Sequence, residues 1–147
     1  MRNEKFQKLA GEPLKIDFMI TERCNLKCKM CNSWKVDQKE RPHEVHFTKW
    51  IEVVSELNDL IEVRLLCIGG GEPFLKEGVL DIVKHCTNLG IYTVIVSNGT
   101  LINEAKAKAI NEAGLKVLSI SVDGTEKVHD YMRGVEGTFK KAMQAIE

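Results

Sequence analysis

The apolar residues of this 147-residue chain fall into short blocks that alternate between two periods. Leu14 to Ile20 is mainly apolar and bounded by polar residues, the pattern of a strand buried on both faces. From about Thr48 the period changes: Trp50, Val53, Val54 and Leu57 fall at i, i+3, i+4 and i+7, which predicts a helix capped by Thr48. Val63 to Ile68 reads as a second strand, and Val79, Ile82, Val83 and Cys86 mark the stripe of a second helix. Tyr92 to Val96 is a β-branched strand; Ile102, Ala105, Ala109 and Ala113 outline a third helix; Val117 to Val122 reads as a fourth strand. A last helical stripe is formed by Phe139, Ala142, Met143 and Ile146.

Strand alternating with helix predicts an α/β fold of about four βα units, with a parallel sheet joined by right-handed crossovers. The unusual residues cluster where each strand gives way to its helix, the carboxyl edge at which parallel α/β sheets bind ligands. Four predicted strand ends therefore point at one site. No stretch resembles a linker or a low-complexity segment.

The hydrophobic fraction of 44% suffices for a core, which excludes a disordered chain. Twenty-one basic residues balance twenty-one acidic ones, so no general nucleic-acid binding is expected. The start, Met1 to Lys5, lacks a signal-peptide pattern, and no apolar run approaches the ~20 residues that span a bilayer. A cytoplasmic protein is the expectation.

Of five cysteines, three crowd into eight residues, which suits a metal site better than a disulfide framework. Cys24, Cys28 and Cys31 have the spacing C-x3-C-x2-C. Three thiolates can bind three irons of a four-iron cluster and leave the fourth iron open to another ligand. Two alternatives stand beside this: a redox dithiol of Cys28 and Cys31, and a zinc site completed by His43 or His46. Cys67, in an apolar strand, and Cys86, on a helix stripe, read as small buried hydrophobes; Trp34 and Trp50 read as packing residues.

The other strand ends carry polar candidates. Gly69-Gly70-Gly71-Glu72-Pro73 follows the second strand: glycines let backbone approach a ligand and a glutamate can accept from an ammonium group, although the same residues make an ordinary turn. Ser97-Asn98-Gly99 and Ser121-Val122-Asp123-Gly124 can hydrogen-bond ribose hydroxyls or a carboxylate, or serve as caps and turns. His129-Asp130-Tyr131-Met132-Arg133-Gly134 closes the set, with Arg133 read either as a carboxylate contact or as a solvated helix-end residue, and His129 as a surface histidine.

The cysteine spacing, the GGEP stretch at Gly70 to Pro73 and the HDxxRG stretch at His129 to Gly134, in this order, resemble the radical S-adenosylmethionine superfamily. The HDxxRG stretch resembles that of members related to the SPASM group and of the molybdenum-cofactor synthesis enzymes. The likeness implies an incomplete (β/α) barrel and a 4Fe–4S cluster on Cys24, Cys28 and Cys31. It further implies S-adenosylmethionine chelating the open iron and reductive cleavage to a 5′-deoxyadenosyl radical. It assigns cofactor contacts to Gly70, Gly71, Glu72 and Pro73, and places Met30 by the adenine and Arg133 by the cofactor carboxylate. Ser97, Asn98, Ser121 and Asp123 complete the candidate pocket. A peptide substrate and an external electron donor are implied; no acid or base is assigned. The likeness also implies six βα units where four are read, so residues 1–147 are expected to be the N-terminal portion of a core domain, whose fourth strand leaves an edge open to self-association. A cofactor-binding module without turnover and a zinc-stabilised domain are the competing classes.

Overall fold

A computed structural model describes residues 14–35 and 44–147. Four strands, β1 (Leu14–Thr21), β2 (Val63–Gly70), β3 (Tyr92–Ser97) and β4 (Val117–Ile120), form one parallel sheet in the order β1-β2-β3-β4. The helices are α1 (Phe47–Leu60), α2 (Val79–Asn88), α3 (Glu104–Glu112), α4 (Glu126–Arg133) and α5 (Thr138–Ile146). Because each strand pairs with the next in sequence, crossovers of one hand put every helix on the same side. The order of a singly wound barrel follows, with a sheet covered on one face.

Burial alternates accordingly. Phe18, Ile20, Leu66, Ile68 and Ile95 point to the helices and pack with Val54, Ile82, Val83 and Cys86 in one core. Lys15, Asp17, Met19, Tyr92 and Val96, at the alternate positions, are exposed. This corrects the expectation of a first strand buried on both faces: in β1 the open face carries Lys15 and Asp17, paired at 3.1 Å. The strand is apolar enough to hide that asymmetry, because Met19 also stands on its open side.

Other differences are local. Helix α1 is capped by His46, whose ring nitrogen accepts from Thr48 N–H at 3.4 Å, so Thr48 lies inside the first turn. In α3 the core side is carried by Ile110 and Ala113 while Ala105 is exposed; alanine marks a stripe poorly because it gains little from burial. β4 ends at Ile120, two residues before the predicted end, and hydrogen-bonds only to β3 among the described residues. Helix α4 had no apolar period to announce it, since His129 is its one fully buried residue. His43 and Met1 to Lys5 lie outside the described residues.

Candidate functional site

A cavity of about 550 Å³ opens at the carboxyl edge of the sheet, within the range of small-molecule sites. Cys24, Cys28 and Cys31 line it, together with Gly69 to Gly71 after β2, Ser97 and Asn98 at the end of β3, Ser121 after β4, and Asp123 and Arg133. Strand ends that the sequence separates by up to about a hundred residues thus meet, as parallel topology requires.

The three thiols are free. Burial pushes the Cys24 thiol up, whereas Ser33 pulls Cys31 down: its hydroxyl lies 3.4 Å from the Cys31 sulfur and its N–H donates there at 3.4 Å. No three His, Cys, Asp or Glu side chains among the described residues converge closely enough for a single metal ion. In a cluster each thiolate takes a different iron, so the three cysteines need not converge on one point as zinc ligands must; His43, one of the two histidines offered to zinc, lies outside the described residues. His46 serves as the cap of α1, away from the cavity wall. The donor set, three soft thiols facing a roomy cavity rimmed by Ser121, Asp123 and Arg133, fits an iron–sulfur cluster with a polar organic ligand.

The glycines, which line the cavity, also let two segments of backbone meet. Gly71 N–H donates to Thr21 O at 2.7 Å and Glu72 N–H to Arg23 O at 2.7 Å, pinning the end of β2 to the chain entering the cysteine loop. A Cβ on Gly71 would lie 2.1 Å from Arg23 O, and one on Gly70, at φ +133°, 2.3 Å from Thr21 O. On that side the protein's own backbone approaches them closely.

Glu72 is fully buried, and its side chain is turned behind the cavity wall. One carboxylate oxygen accepts from Phe74 N–H at 3.2 Å and the Ser97 hydroxyl at 2.8 Å; the other accepts from Asn98 N–H at 2.8 Å. Burial raises its pKa, against the pull of those donors. The sequence reading offered this carboxylate to an ammonium group; here it is already engaged in tying β2 to β3. Pro73 sits beside it, buried, opening a 3₁₀ turn over Pro73–Leu75.

Asn98 is likewise engaged. Its amide donates to Asn25 Oδ1 at 3.0 Å and accepts from Thr100 N–H at 2.9 Å, while Asn25 donates to Thr100 Oγ1 at 2.8 Å. Asn25, between the first two cysteines, was not singled out in the sequence, and only the fold reveals its partner. Ser121 N–H donates to Ser97 O at 3.0 Å, leaving its side chain at the cavity. Met30 lines the cavity at 54% exposure.

Asp123 and Arg133 form an ion pair, Nε at 2.7 Å and Nη2 at 3.0 Å from the carboxylate, so Arg133 is not the solvated residue of the bland reading. His129 is 1% exposed, which corrects its reading as a surface histidine. Its Nδ1 accepts from Asp123 N–H at 3.2 Å, and burial, reinforced by Arg133, lowers its pKa and keeps it neutral. Two cavity residues had been read as packing only. Cys67 lines the open face opposite Asp17, and Trp34, also at the cavity, donates from Nε1 to Cys28 O at 2.9 Å. Cys86 and Trp50 do pack as expected, Cys86 in the core and Trp50 against Phe18 at 4.8 Å between ring centroids.

The model of the Radical SAM superfamily matches residues 18–147. The AdoMet-dependent heme synthase of Oleidesulfovibrio alaskensis is 32% identical over 133 residues, which is 90% of this chain and 34% of that protein. The PqqA peptide cyclase of Methylocella silvestris is 32% identical over 123 residues, 83% of this chain and 32% of that one. Streptococcus suis SuiB bound to S-adenosylmethionine superposes with a TM-score of 0.72 at 22% identity, covering 90% of this chain and 31% of SuiB. SuiB bound to precursor peptide SuiA gives 0.71 at the same identity, covering 90% of this chain and 30% of SuiB. The chain thus spans about a third of the length of the curated relatives it matches.

Proposed function

Because the chain belongs to the radical SAM superfamily, we propose that it is the catalytic core portion of an enzyme holding a 4Fe–4S cluster on Cys24, Cys28 and Cys31. The observation that carries this reading is the meeting of these three thiols with the polar ends of β2, β3 and β4 around one cavity. The chemistry supplied by cluster and S-adenosylmethionine together, when bound, is reductive cleavage to a 5′-deoxyadenosyl radical that takes a hydrogen atom from the substrate.

The chain's own part is to bind and orient. Three thiolates, with no fourth cysteine beside them among the described residues, leave one iron for the cofactor. Arg133 and Ser121 offer donors to its carboxylate and hydroxyls, Asp123 keeps the guanidinium aimed, and the backbone of Gly70 and Gly71 forms the wall facing its amino group. Glu72 and Pro73 hold that wall from behind. Met30 and Trp34 give it an apolar side that excludes water from the adenine. Ser97 and Asn98 fix the end of β3.

The substrate we favour is a peptide, supported by the likeness to a peptide cyclase and by the fold shared with SuiB. An external one-electron donor would reduce the cluster. Among the described residues no helix is long and apolar enough to cross a membrane. The exposed edge of β4 supports a surface for association, in the same chain or with another copy.

The test is anaerobic reconstitution of the full-length protein with iron and sulfide, followed by dithionite and S-adenosylmethionine. Formation of 5′-deoxyadenosine, lost in Cys24→Ala, Cys28→Ala and Cys31→Ala, is the expected result. Zinc without iron in anaerobic protein, or a loaded cluster that never yields the nucleoside, would overturn the reading.

A further inference from the structure

The cysteine loop makes little structure of its own: between Glu22 and Lys35 its backbone bonds within the loop include Cys31 N–H to Cys28 O at 3.1 Å and Lys35 N–H to Asn32 O at 3.0 Å. Besides the links of Arg23 to Glu72 and of Asn25 to Asn98 and Thr100, it is supported from a distant place. Lys27 N–H donates to Arg133 O at 3.2 Å and Lys29 N–H to Met132 O at 2.8 Å. These carbonyls belong to the last turn of α4, where a helix has no partners left for them. The loop's amides fill that vacancy.

Gly134 makes the approach possible. It ends α4 at φ +70°, and a Cβ there would lie 2.4 Å from Lys27 O. Lys29 Nζ stands 4.0 Å over the Tyr131 ring, and Arg133 Nη1 lies 3.9 Å from Cys28 Sγ while the rest of the guanidinium is held by Asp123.

The segment is itself anchored on both sides. His129 binds the Asp123 backbone, and Asp130 accepts from Gly137 N–H at 2.7 Å, Phe139 N–H at 2.8 Å and Thr138 Oγ1 at 2.8 Å, capping α5. Each polar residue of His129–Gly134 therefore either fixes the segment or meets the cysteine loop.

We propose that His129–Gly134 is the seat of the Cys24–Cys31 loop, with Gly134 setting the loop's height and Arg133 acting as a positioning residue whose charge faces the Cys28 sulfur. The proposal deepens the cluster reading and rests on it. A cation donating to a ligand sulfur favours the electron-richer state of a cluster, so Arg133 raises the reduction potential. Asn tolerates positive φ better than other residues with a Cβ, so Gly134→Asn tests the close approach while sparing the helix end most of its strain.

The experiment uses full-length protein, reconstituted anaerobically, with three readouts: iron per chain, cluster midpoint potential followed by EPR, and, in metal-free protein, the alkylation rate of Cys28, which is buried in the seated loop. Gly134→Asn is expected to lose most of its iron and to expose Cys28 to alkylation, with far-UV circular dichroism unchanged. Arg133→Gln is expected to keep the cluster but lower the reduced-to-oxidised ratio at fixed potential about tenfold, a shift of about 59 mV for one electron, with Arg133→Lys intermediate. Full iron loading in Gly134→Asn overturns the seat, and an unchanged midpoint in Arg133→Gln overturns the role of its charge. Should the wild type itself take up no iron, the cluster reading fails. The alkylation rate then still decides the seat: faster in Gly134→Asn supports it, unchanged refutes it.

Discussion

Replacing Glu72 by alanine should cost far more than removing a solvated turn residue, because its carboxylate is the single acceptor for three donors of two strand ends. Asn98 N–H, Phe74 N–H and the Ser97 hydroxyl all point at it within 3.2 Å. A stranded buried donor costs about 1–3 kcal/mol, so the gross loss is about 3–9 kcal/mol. Removing a buried carboxylate also relieves its desolvation, which offsets several kcal/mol. A net destabilisation of about 3 kcal/mol follows. Glutamine separates acceptor from charge. With Oε1 kept toward Phe74 and Ser97, its amide faces Asn98 N–H donor to donor, so one bond of three is lost and the cost falls to about 1–2 kcal/mol.

The pH dependence has a definite sign. Burial raises the folded-state pKa of Glu72 above its unfolded value of about 4.3, so the native state holds the proton more tightly. That contribution is fully present below the unfolded value and is lost as pH rises through the folded one. The advantage of wild type over Glu72→Gln should therefore shrink with rising pH across that window. The assay is urea unfolding of the full-length proteins followed by fluorescence and circular dichroism. A Glu72→Ala protein within about 0.5 kcal/mol of wild type would refute the clamp, as would a glutamine variant no better than alanine.

Further outcomes follow from single contacts. Gly71→Ala places a methyl 2.1 Å from Arg23 O, so it should lower iron uptake and soluble yield together, checked by metal analysis of the purified variant. Asn98→Ala cuts the link to Asn25 in the cysteine loop and should speed cluster loss in air, followed by decay of the charge-transfer absorbance. Asp130, whose carboxyl is held below its usual range first by Phe139 N–H, stabilises the fold above the unfolded carboxylate value of about 3.9; the gap between wild type and Asp130→Ala should close as pH falls through the depressed folded value, measured by thermal unfolding. Cys86, pushed up to about 12 by burial, should stay unmodified when native protein is treated with iodoacetamide near pH 8 and mapped by mass spectrometry.

The legible part of the site was its cysteine cluster. Thiol spacing is local, and Cys24, Cys28 and Cys31 lie close in sequence, so they can be read as one group without a fold. Glu72 shows where such reading stops. Its residue type suited an ammonium partner equally well, and only the pairing of β2 with β3 reveals the contacts it makes to Ser97 and Asn98. His129 was misplaced because a histidine in a polar stretch carries no periodic signal; its burial comes from the packing of α4 beside α5, where its ring meets Phe139 edge-on at 5.8 Å.

What the sequence determined by itself was the alternation of strand and helix, and with it a parallel sheet whose carboxyl edge gathers the cysteines and the polar strand ends. Those follow from periodicity, and periodicity is a property of neighbours in the chain. The tertiary structure decided which face of the sheet stays open, which polar groups are already spent on one another, and that the stretch from His129 to Gly134 reaches back about a hundred residues to carry the cysteine loop. Such contacts depend on strand order and on a close approach that only a glycine permits, and neither has a signature in local pattern.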